Sequence, residues 1–228
     1  MPDKQAKPDE GQSPELARLP PGRHGLPREF VAANHRGRLI AACAQVVEEH
    51  GYADASVARI IGAAAVSRRT FYEHFQNKEE CFIATYDTVM ENLRDRTVVA
   101  AEATDGWPQS VPAILSEILG FFAAEPALAR FCMVETLAAG PPISNHHRDT
   151  VATFAVILRA GRIEAEGGEG APLDTEEAVI AGVVSLITRW IVVGRTEQLE
   201  KLLPDAVTVA LTPFLGVVDA GRVAAQQS

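Results

Sequence analysis

The chain has 228 residues, 47% of them apolar and 22% charged, with a formal net charge of −9. That length supports one or two domains around a sizeable core, and that composition excludes a disordered or fibrous polymer. Three cysteines, Cys43, Cys81 and Cys132, form no CxxC pair, which excludes a disulfide framework or a cysteine-built zinc site and predicts a reduced, cytoplasmic protein.

No period-2 alternation appears, so the expected fold class is all-α: an N-terminal three-helix unit followed by a larger helical body, about nine helices in total. Net acidity argues against a nucleic-acid partner, but the charge is unevenly spread. Residues 18–78 carry nine Lys/Arg against five Asp/Glu, net +4, whereas residues 79–228 are net −11. Local charge, not the total, sets attraction to phosphate.

Residues 1–26 are polar and proline-rich, without the apolar run of a secretory leader, and are expected to form a disordered, partly basic arm. Arg23, between glycines and prolines, is the one candidate in it for entry into a narrow minor groove. A first helix is expected from about Pro27 or Arg28 to His50, with Gly51 as its stop and Leu39, Ile40, Cys43, Val46 and Val47 inward. Arg28, His35, Arg36 and Arg38 crowd its N-terminal half, where phosphate contacts are expected.

The stretch Gly51–Lys78 packs a helix, a tight turn and a second helix into fewer than thirty residues. Ser56 caps a helix whose Val57, Ile60, Ile61 and Ala64 fall at i, i+3, i+4 and i+7. Ser67 caps the next, which turns Phe71 and Phe75 inward and leaves Arg68, Arg69, Thr70 and Tyr72 outside. Two arginines in the first turn of a helix sit against its positive dipole end, so an anion is the expected partner. A short helix packed across another, projecting its N-terminal residues, fits a DNA major groove.

The same residues resemble the DNA-binding domain of the TetR family of transcriptional repressors. The resemblance rests on Gly51-Tyr52, Ser56-Val57, Ile60-Ile61, Ala64-Ala65-Val66-Ser67, Thr70-Phe71-Tyr72-Glu73-His74-Phe75 and Asn77-Lys78, and covers about residues 36–82. Two positions depart from the family pattern: Ala65 stands where glycine is usual in the turn, and Ile61 where alanine is usual. An alanine forced to positive φ costs about 1–2 kcal/mol. The DNA-facing set expected from this segment is Ser56, Ser67, Arg68, Arg69, Thr70, Tyr72, His74 and Lys78, joined by Arg36 and Arg23. Within it Arg68 and Arg69 would read bases, while Thr70, Tyr72, His74 and Lys78 would hold phosphates. Residues 27–77 are taken as this domain and 78–228 as a ligand-binding and dimerisation domain.

Asn77 caps a fourth helix expected to reach about Ala103. Trp107-Pro108 opens a fifth, to about Ala124, and Pro126 a sixth, ending at Gly140. Pro141-Pro142 are expected to break the chain before a seventh helix from about Ser144 to Glu166. The Gly167–Gly170 loop lacks the Lys-Ser/Thr of a phosphate cradle and reads as a linker. Thr175–Gly194 is apolar nearly all round, so both its flanks need cover; its longest apolar run, residues 178–193, is interrupted by Arg189 and short of the about 20 residues a bilayer needs. A short piece, residues 196–202, precedes a last helix over Pro204–Leu215.

The economical cover for the eighth helix is a twofold interface with a second copy, as in the resembled family, through Val183, Ile187, Trp190, Ile191, Val207, Leu211 and Phe214. The resemblance also implies a cavity among helices four to seven, whose aromatic and sulfur side chains are Phe82, Tyr86, Trp107, Phe121, Phe122, Phe131, Met133 and Phe154. With no cationic cluster there, its occupant should be an apolar small molecule.

His146-His147 are adjacent, about 100° apart on a helix, and make poor metal co-ligands. No metal or cofactor is expected, and no membrane partner. The reading is a homodimeric repressor of double-stranded DNA. A ligand-free DNA-binding regulator is the alternative, and an all-α enzyme on an apolar substrate the remote one, since no catalytic constellation is visible.

Overall fold

The computed structural model describes residues 28–164 and 172–227, and every regular element among them is helical. The arm with Arg23 and the Gly167–Gly170 linker lie outside the described residues. In order come α1 (Arg28–Asp54), α2 (Val57–Ala64), α3 (Arg68–His74), α4 (Lys78–Glu102) and α5 (Trp107–Ala124). A bent run follows: α6 (Pro126–Arg130), a π turn (Phe131–Glu135) and α7 (Thr136–Ala138). Then come α8 (Pro141–Ala152), α9 (Ala155–Glu164), α10 (Thr175–Val192), a 3-10 stretch (Thr196–Leu202) and α11 (Leu203–Ala225).

The N-terminal unit forms because three short apolar stripes converge. Leu39, Cys43, Val46 and Val47 of α1 meet Ile60 and Ala64 of α2 and Phe71 of α3, with Phe75 closing the bottom, all buried. Burying each phenylalanine contributes roughly 2–3 kcal/mol, enough to hold a seven-residue helix that would not form alone. Gly51, at φ 73° and ψ 163°, ends the regular part of α1, because only glycine takes that conformation without strain. This core runs on into the body through Cys81, Phe82 and Tyr86 of α4. There α4 packs along α5, α5 against α11, and α10 against α11.

Three sequence expectations are corrected. Pro141-Pro142 do not break the chain but occupy the first turn of α8, where the missing N–H is no loss. The expected seventh helix is interrupted at Thr153-Phe154 and resumes as α9. The last helix does not stop at Leu215. Gly216, at φ 76° and ψ 166°, bends it, and Ala220 and Ala224, four residues apart and both buried, dock the extension. Among the described residues one helical run, Thr196–Ala225, is long and apolar enough by composition to cross a membrane, with mean hydropathy 1.5 and only 33% of its most apolar window buried.

Candidate nucleic-acid interface and its link to the body

The turn between α2 and α3 is built from capping. The Ser56 hydroxyl accepts from the Arg59 N–H at 3.3 Å, and the Ser67 hydroxyl accepts from the Thr70 N–H at 3.0 Å while bonding the Thr70 hydroxyl at 2.8 Å. Ala65 closes α2 in the left-handed region, φ 48° and ψ 46°, its N–H turned back on Ile61 and Gly62 carbonyls. It is the only non-glycine at positive φ among the described residues. The strain inferred from the missing glycine is therefore present in the fold.

Arg38 reaches across from α1 and donates to the carbonyls of Ala64 and, at 3.1 Å, Ala65. It satisfies the C-terminal carbonyls of α2, so the expected phosphate contact at Arg38 gives way to a capping role. Arg36 lies over the Phe75 ring at 5.6 Å.

On α3, Arg68 is exposed and has no hydrogen-bond or ion-pair partner among the described residues. Arg69 is 90% exposed and pairs with Glu73 at 3.0 Å, an exposed i,i+4 contact of small energy. The i,i+4 spacing of Glu73 from Arg69 is the sequence signal for this pair. Tyr72 is 51% exposed, its ring edge-on to Phe71 at 5.4 Å. His74 is half-buried; burial and then the neighbouring His35 hold its imidazole below the ordinary 6.5.

Lys78 is placed differently from the expectation of a free phosphate clamp. Its ammonium donates to the Tyr52 carbonyl at 2.8 Å and lies 4.1 Å from the centre of the Tyr52 ring. The Tyr52 N–H donates to Glu135 at 2.9 Å, and the Tyr52 ring packs edge-on against Phe82 at 4.9 Å. Glu135, buried at the end of the π turn, pairs with Arg130 at 3.3 Å. From the same turn Phe131 stacks on Phe82 at 4.2 Å and 20°. The end of α1, the start of α4 and the π turn thus share one joint.

An apolar cavity of ≈ 70 Å³ lies among α4, α5, the π turn, α8, α9, α10 and α11. Of the eight side chains expected to line it, Met133 and Phe154 do. The other six are packed elsewhere. Phe82 and Phe131 stack in the joint, and Phe122 is fully buried beside Phe121, which lies under Arg96 at 5.4 Å. Trp107 donates its indole N–H to the Ile157 carbonyl at 2.8 Å, and the Tyr86 hydroxyl bonds His147 Nδ1 at 2.9 Å. The cavity is walled instead by aliphatic residues such as Leu93, Leu115, Val179 and Val183, a choice that aromatic content could not reveal.

Residues 39–85 match the family model for bacterial regulatory proteins of the tetR family. That stretch is a TetR-family domain. The TetR-family match extends to curated relatives. The HTH-type transcriptional regulator CymR of Pseudomonas putida is 39% identical over 66 residues, 29% of this chain and 32% of CymR. The HTH-type transcriptional activator FasR of Mycolicibacterium smegmatis is 26% identical over 145 residues, 61% of this chain and 64% of FasR. The chain thus spans about a third and about two thirds of these relatives' lengths. The chain shares its fold with FadR from Bacillus subtilis, solved in complex with stearoyl-CoA: TM-score 0.67, 20% identity, covering 79% of this chain and 98% of that one.

The side chains expected at a dimer interface need correction. Val183, Ile187 and Ile191 of α10 and Val207, Leu211 and Phe214 of α11 are 0–6% exposed within the single subunit. They have almost no area left to give to a partner, and only Trp190 stays half-exposed, beside Arg195. The outward residues of this pair of helices are others, including Ala181, Ser185, Arg189, Val192 and Val209. His146 and His147 diverge as their spacing requires: His146 Nε2 bonds Asp87 at 2.6 Å while His147 turns inward to Tyr86. Among the described residues no three His, Cys, Asp or Glu side chains gather to hold a metal.

Proposed function

We propose that this TetR-family regulator is a homodimeric repressor that grips a palindromic operator through α3 and lets go when an apolar small molecule enters the body. The observation that carries the DNA reading is Arg68, exposed and without a partner among the described residues, at the capped start of a helix whose other face is nailed down by Phe71. Arg68 reads a base, Arg69 does so once drawn from Glu73, and the Ser67–Thr70 cap, Tyr72, His74 and Arg36 contact backbone. The working division keeps residues 1–26 as arm, 27–77 as DNA head and 78–228 as body, with the Lys78–Tyr52–Glu135 joint across the border.

Two features support a second copy. α11 is strongly apolar yet only partly covered. The outer face of α10 is also self-complementary about residue 183: Glu177 and Arg189 lie twelve positions apart, with Ala181, Gly182 and Ser185 between them and exposed Leu173 and Val193 beyond. Antiparallel packing of two such helices sets Glu177 of each against Arg189 of the other, about 18 Å from the opposite pair. The small central residues permit close approach. Two heads then address half-sites about 34–36 Å or a multiple apart.

Release is supported by the π turn. Met133 lines the cavity, while Phe131 and Glu135 of the same turn hold Phe82 and the Tyr52 N–H. An occupant that displaces Met133 acts on the head through that turn, favouring one head spacing over another. The stearoyl-CoA in Bacillus subtilis FadR favours a chain-like apolar occupant. Fluorescence anisotropy with DNA flanking the protein's own gene, with and without lipophilic compounds, tests the whole reading. Saturable binding at two heads per duplex, reversed by a compound, is expected. A second reading, a body that only dimerises, draws on the small cavity; it requires operator binding that no compound disturbs.

A further inference from the structure

The apolar cavity of the body, at ≈ 70 Å³, has about half of the roughly 150 Å³ in which an engineered apolar cavity holds one benzene. A guest of even that size therefore enters only where the wall gives way. Every lining side chain is apolar, so no hydrogen bond selects or orients a guest. Apart from Phe154, Ala210 and two methionines, the wall is built of Leu, Ile and Val, branched side chains with few rotamers to yield into.

The two methionines, Met90 and Met133, are both buried, and the chain has only one other, Met1. Methionine is unbranched, turns about three side-chain bonds and adapts to irregular space. These two side chains are the compliant part of the wall, and both stand on elements tied to the head. Met90 lies on α4, eight residues or about 12 Å beyond Phe82. Met133 lies in the π turn between Phe131, which stacks on Phe82, and Glu135, which accepts the Tyr52 N–H. Apart from Leu93 on α4, the stiff Leu, Ile and Val residues stand on α5, α8, α9 and α10. The wall therefore yields on the side that faces the head's two attachments.

We propose that the body is a size sensor: a neutral, hydrocarbon-like guest larger than the hole enters by refolding the Met90 and Met133 side chains, and that displacement, without any polar contact, is what moves the head. This rests on the reading of the body as an effector site and adds its selectivity, which is by bulk rather than by functional group. Aromatic and aliphatic guests are accepted alike, because the methionines reshape around either.

The test uses the full chain and benzene as the probe, with binding measured by calorimetry without DNA and release by operator anisotropy. The parent should take up benzene saturably and release DNA as it fills. Joint replacement Met90→Leu and Met133→Leu keeps the volume but stiffens the wall; benzene should bind about tenfold more weakly, while the urea midpoint stays close to the parent's. Met133→Ala makes room in advance, so benzene should bind at least as tightly as to the parent yet release less DNA at equal occupancy. Parental affinity in the double leucine variant, or parental release in Met133→Ala, overturns the proposal and leaves the apolar site standing. A parent that takes up no benzene overturns it too, while the effector reading is decided separately by operator release with larger lipophilic compounds.

Discussion

Ala65→Gly offers a direct measurement of strain at the heart of the helix-turn-helix. In the left-handed region an L-residue with a Cβ costs about 1–2 kcal/mol; Ala65 sits there at φ 48°. Its methyl group is exposed, so deleting it removes no packing, and the bonds through its N–H and carbonyl belong to the backbone and persist. Glycine frees the unfolded chain as well, offsetting about 0.5–1 kcal/mol. The net expectation is a stabilisation of about 0.5–1 kcal/mol, or about 1–4 °C in Tm for a protein of this size. Thermal and urea unfolding at fixed protein concentration measure it, since a dimer's midpoint moves with concentration. Gly62→Ala is the companion: Gly62 is helical with nothing within 4 Å of an added Cβ, so it too should stabilise, by up to about 1 kcal/mol. A midpoint for Ala65→Gly equal to or below the parent's refutes the argument that the turn is strained.

Other consequences are open to measurement. Arg68→Ala should cost about 1–3 kcal/mol on the operator and far less on scrambled DNA; equal losses on both would remove it from base reading. Glu73→Gln, by releasing Arg69, should tighten binding to every sequence and steepen the salt dependence. Lys78→Ala should destabilise the fold by about 1–2 kcal/mol, because it leaves the Tyr52 carbonyl and ring without their cation; unchanged urea stability would refute the bracing role. The buried His147 is held below its ordinary 6.5 by burial and then by His146. The unfolded chain therefore takes up the proton first, so stability is full above about pH 6.5 and declines as pH falls toward the folded value. His147→Gln should flatten that decline below about pH 6.5 in denaturant midpoints.

Much of the head was legible because its signals are local. The caps Ser56, Ser67 and Asn77, the stop at Gly51 and the inward Phe71 and Phe75 depend on neighbours within four or five residues, and the structure places them accordingly. Contacts that join residues far apart in the chain were not. Arg38 meets Ala64 and Ala65 from another helix, and Glu135 meets Tyr52 from beyond five helices. Nor does apolarity say which flank of α10 faces inward, and its most hydrophobic residues fill the subunit's own core rather than an interface. Aromatic side chains misled for the same reason: large rings pack, and smaller aliphatic neighbours leave the hole.

The joint at Tyr52 also bears on how such proteins can be recombined. Its backbone is held on one side by Lys78 and on the other by Glu135, eighty-three positions away. A chimera that transplants the first three helices onto a foreign body severs the Glu135 tie unless the recipient supplies a carboxylate at the matching spot. Grafts cut just after Lys78 should therefore bind their operator yet ignore the recipient's inducer, and restoring that single acidic group is where rewiring should begin.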